Sequence, residues 1–131
     1  MRKLSLIFFT TLILTSCGQQ QANSIQEGTA LKTFLASSNK PAIIKFYASW
    51  CSSCKQYAPA FNEVKLATSA SVDFFEVDVD SAASKDLVKE LKVARIPETV
   101  FVSKDRAAIA RRLGAISVNE LSKLVDELKA K

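Results

Sequence analysis

Ala48-Ser49-Trp50-Cys51-Ser52-Ser53-Cys54-Lys55 sets two cysteines three apart, directly after the apolar run Ala42-Ile43-Ile44-Lys45-Phe46-Tyr47. The run reads as a buried strand and the cysteines as the point where it turns into a helix. A thiol at a helix N-terminus meets unpaired backbone N–H groups and the positive end of the macrodipole, which favour the thiolate. The second thiol sits one turn along, close enough to close a disulfide on the first. Such a pair is also half of a zinc site. The chain has no His, however, and its one further cysteine, Cys17, stands far away in a different context, so the usual second half of a Cys/His zinc site is missing. A purely structural bridge is also a poor reading, because closing so short a loop restrains the unfolded chain little.

Trp50-Cys51-x-x-Cys54-Lys55, followed by Tyr57-Ala58-Pro59, resembles the active site and second helix of the thioredoxin family. Arg95-Ile96-Pro97 resembles that family's cis-proline segment, and Gly114 falls where the family has a glycine after its last strand. The likeness runs from about Thr29 to the C-terminus. It implies a thioredoxin fold and thiol–disulfide exchange, with Cys51 as attacking nucleophile, expected to be the more exposed sulfur, and Cys54 as resolving thiol. It implies a cis Ile96–Pro97 peptide, X–Pro being the only bond for which cis is cheap. That segment would pack against the thiols and offer backbone groups to an extended substrate. Trp50 becomes a partly exposed platform beside the thiols rather than a core aromatic. Pro97-Glu98-Thr99 departs from the family's usual order, in which Thr follows the proline. It is similar instead to the thioredoxin-like reductases of cytochrome c maturation, although their central insertion is missing here.

The rest of the domain, residues 29–131, follows from periodicity. Ala30, Leu31, Phe34 and Leu35 have helical spacing, and Ser37-Ser38-Asn39-Lys40-Pro41 ends that helix. The helix carrying Cys54 should run to about Thr68, with Tyr57, Phe61, Val64 and Leu66 as apolar positions and a kink at Pro59. Val72 to Val79 reads as a strand. Asp80-Ser81 can cap a helix over Ala82 to Leu91, with Leu87, Val88 and Leu91 inward. Thr99 to Val102 and Ala107 to Arg112 read as a hairpin. Ser117 caps a final helix whose stripe is Leu121, Leu124, Val125 and Leu128. The order α-β-α-β-α-β-β-α makes an α/β domain with a central mixed sheet and helices on both faces.

Before it, Arg2 and Lys3 precede the apolar stretch Leu4 to Leu14. That stretch is too short to span a bilayer, which takes about 20 residues, and suits the core of an export signal over residues 1–16. Leu14-Thr15-Ser16-Cys17 resembles the bacterial lipobox, which implies cleavage before Cys17 and diacylglycerol on its sulfur. Residues 17–28, beginning Cys17-Gly18-Gln19-Gln20-Gln21, are polar and aperiodic and read as a lipidated flexible tether. The expected location is the bacterial cell envelope, anchored and facing the periplasm or exterior; which membrane stays open.

The formal charge of +5 falls to +3 without Arg2 and Lys3, and the basic residues are scattered. Nucleic-acid binding therefore has no footing in composition. A monomer without cofactor or metal is expected. In the family, a buried Asp usually stands six residues before the first cysteine; here that position is Lys45, and the family's lysine partner on the next strand aligns with Glu76. The pair reads as kept with its charges exchanged, Glu76 accepting a proton and Lys45 favouring the Cys51 thiolate. The alternative is a Lys45 that snorkels to solvent, and Asp78 is the fallback partner. Ser52 and Ser53 offer only hydroxyl donors, where strongly oxidising relatives carry His. Three classes of function follow: a lipid-anchored reductase of disulfides in exported proteins, recharged by a membrane thiol transporter; an oxidase or isomerase on the same scaffold; and a non-enzymatic module holding a metal ion or apocytochrome.

Overall fold

The computed structural model describes residues 28–131, so the expectations for the leader, Cys17 and the tether lie outside the described residues. The order is α1 (Gly28–Ser37), β1 (Ala42–Tyr47), α2 (Ser52–Thr68), β2 (Asp73–Asp78), a 3-10 turn (Ala82–Ser84) leading into α3 (Lys85–Glu90), β3 (Glu98–Val102), β4 (Ala108–Leu113) and α4 (Val118–Lys129). The four strands lie in the order β2-β1-β3-β4. β1 and β2 are parallel, with Lys45 opposite Glu76 and Tyr47 opposite Asp78. β1–β3 and β3–β4 are antiparallel. The expected mixed sheet is present.

Both faces of the sheet are covered, because β1 alternates its side chains between two cores. Ile43 joins Tyr57, Phe61 and Val64 of α2, Phe101 of β3 and Leu121, Val125 and Leu128 of α4. Ile44 and Phe46 face the other way, with Leu31 of α1, Leu87 of α3, Val100 and Phe75. Burying one such side chain contributes about 1.5–3 kcal/mol, so both layers hold β1 in place. α4 is capped as expected: Ser117 accepts the Glu120 N–H on its hydroxyl at 3.3 Å.

Two local expectations need correction. Leu66 is 83% exposed. The inward positions of α2 are Tyr57, Phe61 and Val64, and a residue two beyond Val64 lies about 200° around a helix of 3.6 residues per turn. The segment from Ala82 begins as a 3-10 turn, with Ser81 at its cap making no side-chain cap bond. The Ser84 hydroxyl instead donates to the carbonyls of Asp78 and Ser81. The three apolar positions expected inward there do face the core: Leu87 is buried in it, and Val88 and Leu91, partly buried, pack against it. α2 ends at Thr68, as expected, with Pro59 inside it.

Candidate active site

β1 ends at Tyr47 and Cys51 occupies the N-cap of α2. Its sulfur accepts the backbone N–H of Cys54 at 3.2 Å, and Ser53 Oγ lies 3.4 Å from the same sulfur. A first-turn N–H that would otherwise lack a partner thus points at Cys51 Sγ. Cys51 and Cys54 are joined as a disulfide, with Cα atoms 5.3 Å apart. Both cysteines are buried in the disulfide form, Cys51 at 5% and Cys54 at 4% exposed. Ala48 is buried with them, and Tyr47, Val79 and Ile96 pack against the cluster. What distinguishes the sulfurs is position, one capping the helix and the other inside it.

The Ile96–Pro97 peptide is cis. Gly114, at φ +87°, donates its N–H to the Pro97 carbonyl at 2.8 Å. That left-handed conformation suits glycine, which accounts for the glycine after the last strand. Trp50 is 68% exposed, as expected of a platform. Its indole N–H donates to Asp80 Oδ2 at 2.6 Å, which anchors the ring. In the sequence Asp80 stands out only as a possible helix cap. The signal for its position was the parallel register: Tyr47 opposite Asp78 puts the residues following both strands at one end of the sheet. Shallow clefts of about 440 and 300 Å³ flank Trp50. Ala94, Arg95 and Ile96 line both; Cys51, Ser52 and Ser53 line the first, and Val79, Val88 and Val93 the second. The structure therefore brings Trp50, Cys51, Cys54, Ile96 and Pro97 together at one end of the sheet.

Lys45 and Glu76 meet beneath α2. Lys45 Nζ lies 2.6 Å from Glu76 Oε2, and Lys45 is 2% exposed, so it does not snorkel to solvent. Its ammonium sits 4.3 Å from the Phe61 ring centroid and within 6 Å of Tyr47 and Tyr57, a placement that the ring faces favour. Lys65 approaches the other Glu76 oxygen at 3.8 Å. Next to this pair, the Thr99 hydroxyl donates to Tyr57 Oη at 3.2 Å. Burial pushes the Tyr57 hydroxyl up to about 12, the bond from Thr99 opposing it and the Glu120 and Glu76 charges adding to it. Tyr47 is raised by burial and by Asp78 and Glu76. Glu98, the residue that breaks the usual order after the proline, is buried and held by Arg111 Nε at 2.6 Å.

A dithiol at a helix start, beside an exposed aromatic ring and a cis-proline segment, can exchange disulfides with an extended chain. Comparison with known proteins agrees. A family model described as Thioredoxin matches residues 11–127. A thioredoxin of Mycoplasmoides gallisepticum is 36% identical over 91 residues, covering 70% of this chain and 87% of that protein. One from Mycobacterium tuberculosis is 32% identical over 100 residues, 73% of this chain and 84% of the other. The crystal structure of chloroplastic thioredoxin z superposes with a TM-score of 0.71 at 26% identity, covering 81% of this chain and 93% of that one.

Proposed function

The chain belongs to the thioredoxin family and is a thiol–disulfide oxidoreductase with Cys51 and Cys54 as its redox pair, and from that premise we propose that it is a lipid-anchored reductase of disulfides in exported proteins. In the reduced protein the Cys51 thiolate attacks one sulfur of a substrate disulfide. The substrate S–S bond breaks, its other sulfur leaves as a thiolate and takes up a proton, and a mixed disulfide joins Cys51 to the substrate. Cys54 then loses its proton and attacks Cys51 Sγ, which releases the second substrate thiol and leaves the Cys51–Cys54 disulfide. Trp50, Ile96 and Pro97 hold the substrate chain during the exchange. Glu76 accepts the Cys54 proton, and Lys45 beside it favours the Cys51 thiolate by its charge. The lipobox-like Leu14-Thr15-Ser16-Cys17 supports anchoring in the cell envelope. A reductant in that oxidising setting must be recharged, and a membrane thiol transporter is the partner of suitable chemistry.

The observation that carries the direction is the surroundings of Cys51. Ser53 Oγ, 3.4 Å away, is a neutral donor, whereas a cation between the cysteines would stabilise the reduced thiolate and make the pair an oxidant. The test is the reduction potential of the Cys51–Cys54 couple at equilibrium with glutathione, read beside insulin reduction. A value near the thioredoxin range of about −270 mV with active insulin reduction is expected. A value above about −180 mV transfers the assignment to the oxidase or isomerase reading.

A further inference from the structure

The larger cleft beside Trp50, of about 440 Å³, has two walls. The start of α2, with Cys51, Ser52 and Ser53, makes one, and Ala94, Arg95 and Ile96 before the cis-proline make the other. The second cleft, of about 300 Å³, is walled by Val79, Val88 and Val93 together with the same three residues. Arg95 is the one charged residue lining either cleft. It is exposed, and its guanidinium has no hydrogen-bond or ion-pair partner among the described residues. The acids close to it in the fold or the chain are already engaged. Asp80 accepts the Trp50 indole N–H, and Glu98, the first acid after Arg95, is buried and held by Arg111. Between Leu91 and Pro97 the chain carries Lys92 and Arg95 and no acid. The cleft that reaches Cys51 thus presents a single positive charge on otherwise neutral walls.

An extended chain lying in the larger cleft turns successive side chains to opposite sides. With its cysteine turned to Cys51 on one wall, the residues flanking that cysteine turn to the other wall, where Arg95 stands. A carboxylate there meets a guanidinium with no competing partner, and the planar fork suits it. A lysine there meets a like charge. The valine-lined cleft takes an uncharged apolar side chain, so discrimination by charge falls to Arg95. We propose that Arg95 selects disulfides whose reacting cysteine stands next to an acidic residue. This rests on the reading of the protein as a reductase of disulfides and narrows the substrate class of that same site.

The test uses the full chain carrying Cys17→Ser in its reduced form, so that Cys51 and Cys54 are its only thiols. Its substrates are symmetric disulfides of capped peptides in which the cysteine stands between a leucine and a variable residue, in both orders. The variable residue is glutamate, glutamine or lysine. One protein dithiol is oxidised for each peptide disulfide reduced to two thiols, and the released peptide is followed by chromatography. Each rate is divided by that of dithiothreitol, a neutral dithiol, on the same peptide, which removes the peptide's own reactivity. In at least one order glutamate is expected to exceed glutamine by about threefold to fivefold, the range of an exposed ion pair, with lysine slowest. Arg95→Lys should keep this ranking, Arg95→Gln should level it, and Arg95→Glu should reverse it. With Arg95 in place, about 0.5 M salt, where the Debye length is roughly 4 Å, should at least halve the preference. That measurement carries the test if a variant fails to fold in a thermal melt. Should the protein oxidise thiols rather than reduce disulfides, the reductase reading fails, but the oxidised protein mixed with the thiol peptides should still rank them in the same way. Equal normalised rates for glutamate and lysine in both orders overturn the proposal, as does a preference that survives unchanged in Arg95→Gln.

Discussion

Tyr57 and Lys45 are the two buried polar side chains whose chemistry can be tested one residue at a time. The Tyr57 hydroxyl is pushed from 10.0 to about 12, chiefly by burial. Between those values the folded protein keeps a proton that the unfolded chain gives up, so the unfolded state binds fewer protons and stability falls as pH rises. The contribution is fully present below pH 10 and is lost on passing through about 12; two pKa units correspond to about 2–3 kcal/mol. Tyr57→Phe should remove this part of the alkaline decline, at a cost of about 1 kcal/mol at neutral pH for the bond from Thr99. Urea unfolding of both proteins at pH 8 and pH 11 checks it, and parallel losses in the two would refute it. Lys45 and Glu76 should respond unequally. Glu76→Gln leaves an ammonium that is 2% exposed without its carboxylate. The cost should be about 2 kcal/mol, below the 3–5 of a fully buried broken pair, because Glu76 is partly exposed and aromatic rings surround the cation. Lys45→Met leaves Glu76 with water and Lys65, and should cost under about 1 kcal/mol. Equal costs would mean that no buried charge is stranded. The same Lys45→Met variant should need higher pH for Cys51 alkylation, and superimposable profiles would remove Lys45 from the thiol chemistry.

At the scale of elements, the start of α2 sets the order in which the thiols react. The two residues are buried to nearly the same degree, so their position on the helix is what separates them. Cys51 caps the helix and receives the Cys54 N–H, whereas Cys54 lies within the first turn. In the reduced protein Cys51 should therefore be alkylated well before Cys54, with a pKa below the free value of about 8.5. Mass spectrometry after a short exposure to iodoacetamide decides it; modification of Cys54 first would reverse the assignment. Cys54→Ser should accumulate mixed disulfides, and Cys51→Ser should accumulate none. The elements themselves were legible where periodicity was strong: β1 and the stripe of α4 stand where the pattern put them. Leu66 misled because apolarity was read without its angle around the helix. The start of α3 differs because Ser81 makes no side-chain cap bond, while the Ser84 hydroxyl donates to the carbonyls of Asp78 and Ser81. Asp80 was hidden by its separation of thirty residues from Trp50, a contact that only strand register can reveal.

For the molecule as a whole, both faces of the sheet are closed by helices, and the thiols, Trp50 and the cis-proline segment gather at one end. The thiols' place could be read from the cysteine pair and the order of elements, because a buried β1 must lead straight into α2; Trp50 and the cis-proline segment came from the resemblance of their motifs to the thioredoxin family. No helix among the described residues is long and apolar enough to cross a membrane. Attachment to the envelope therefore rests, in our proposal, on the chain before Gly28 and on Cys17 above all. The domain from Gly28 onward carries every residue assigned to exchange, so anchoring and chemistry should separate cleanly. In bacteria expressing the chain, Cys17→Ala should abolish incorporation of labelled palmitate and move the protein from the membrane to the soluble exported fraction, or leave it as an unprocessed precursor. Purified Cys17→Ala should reduce insulin at the wild-type rate. Retention of the processed variant in membranes would place the anchor elsewhere, and loss of insulin reduction in a folded variant would mean that Cys17 takes part in the exchange itself.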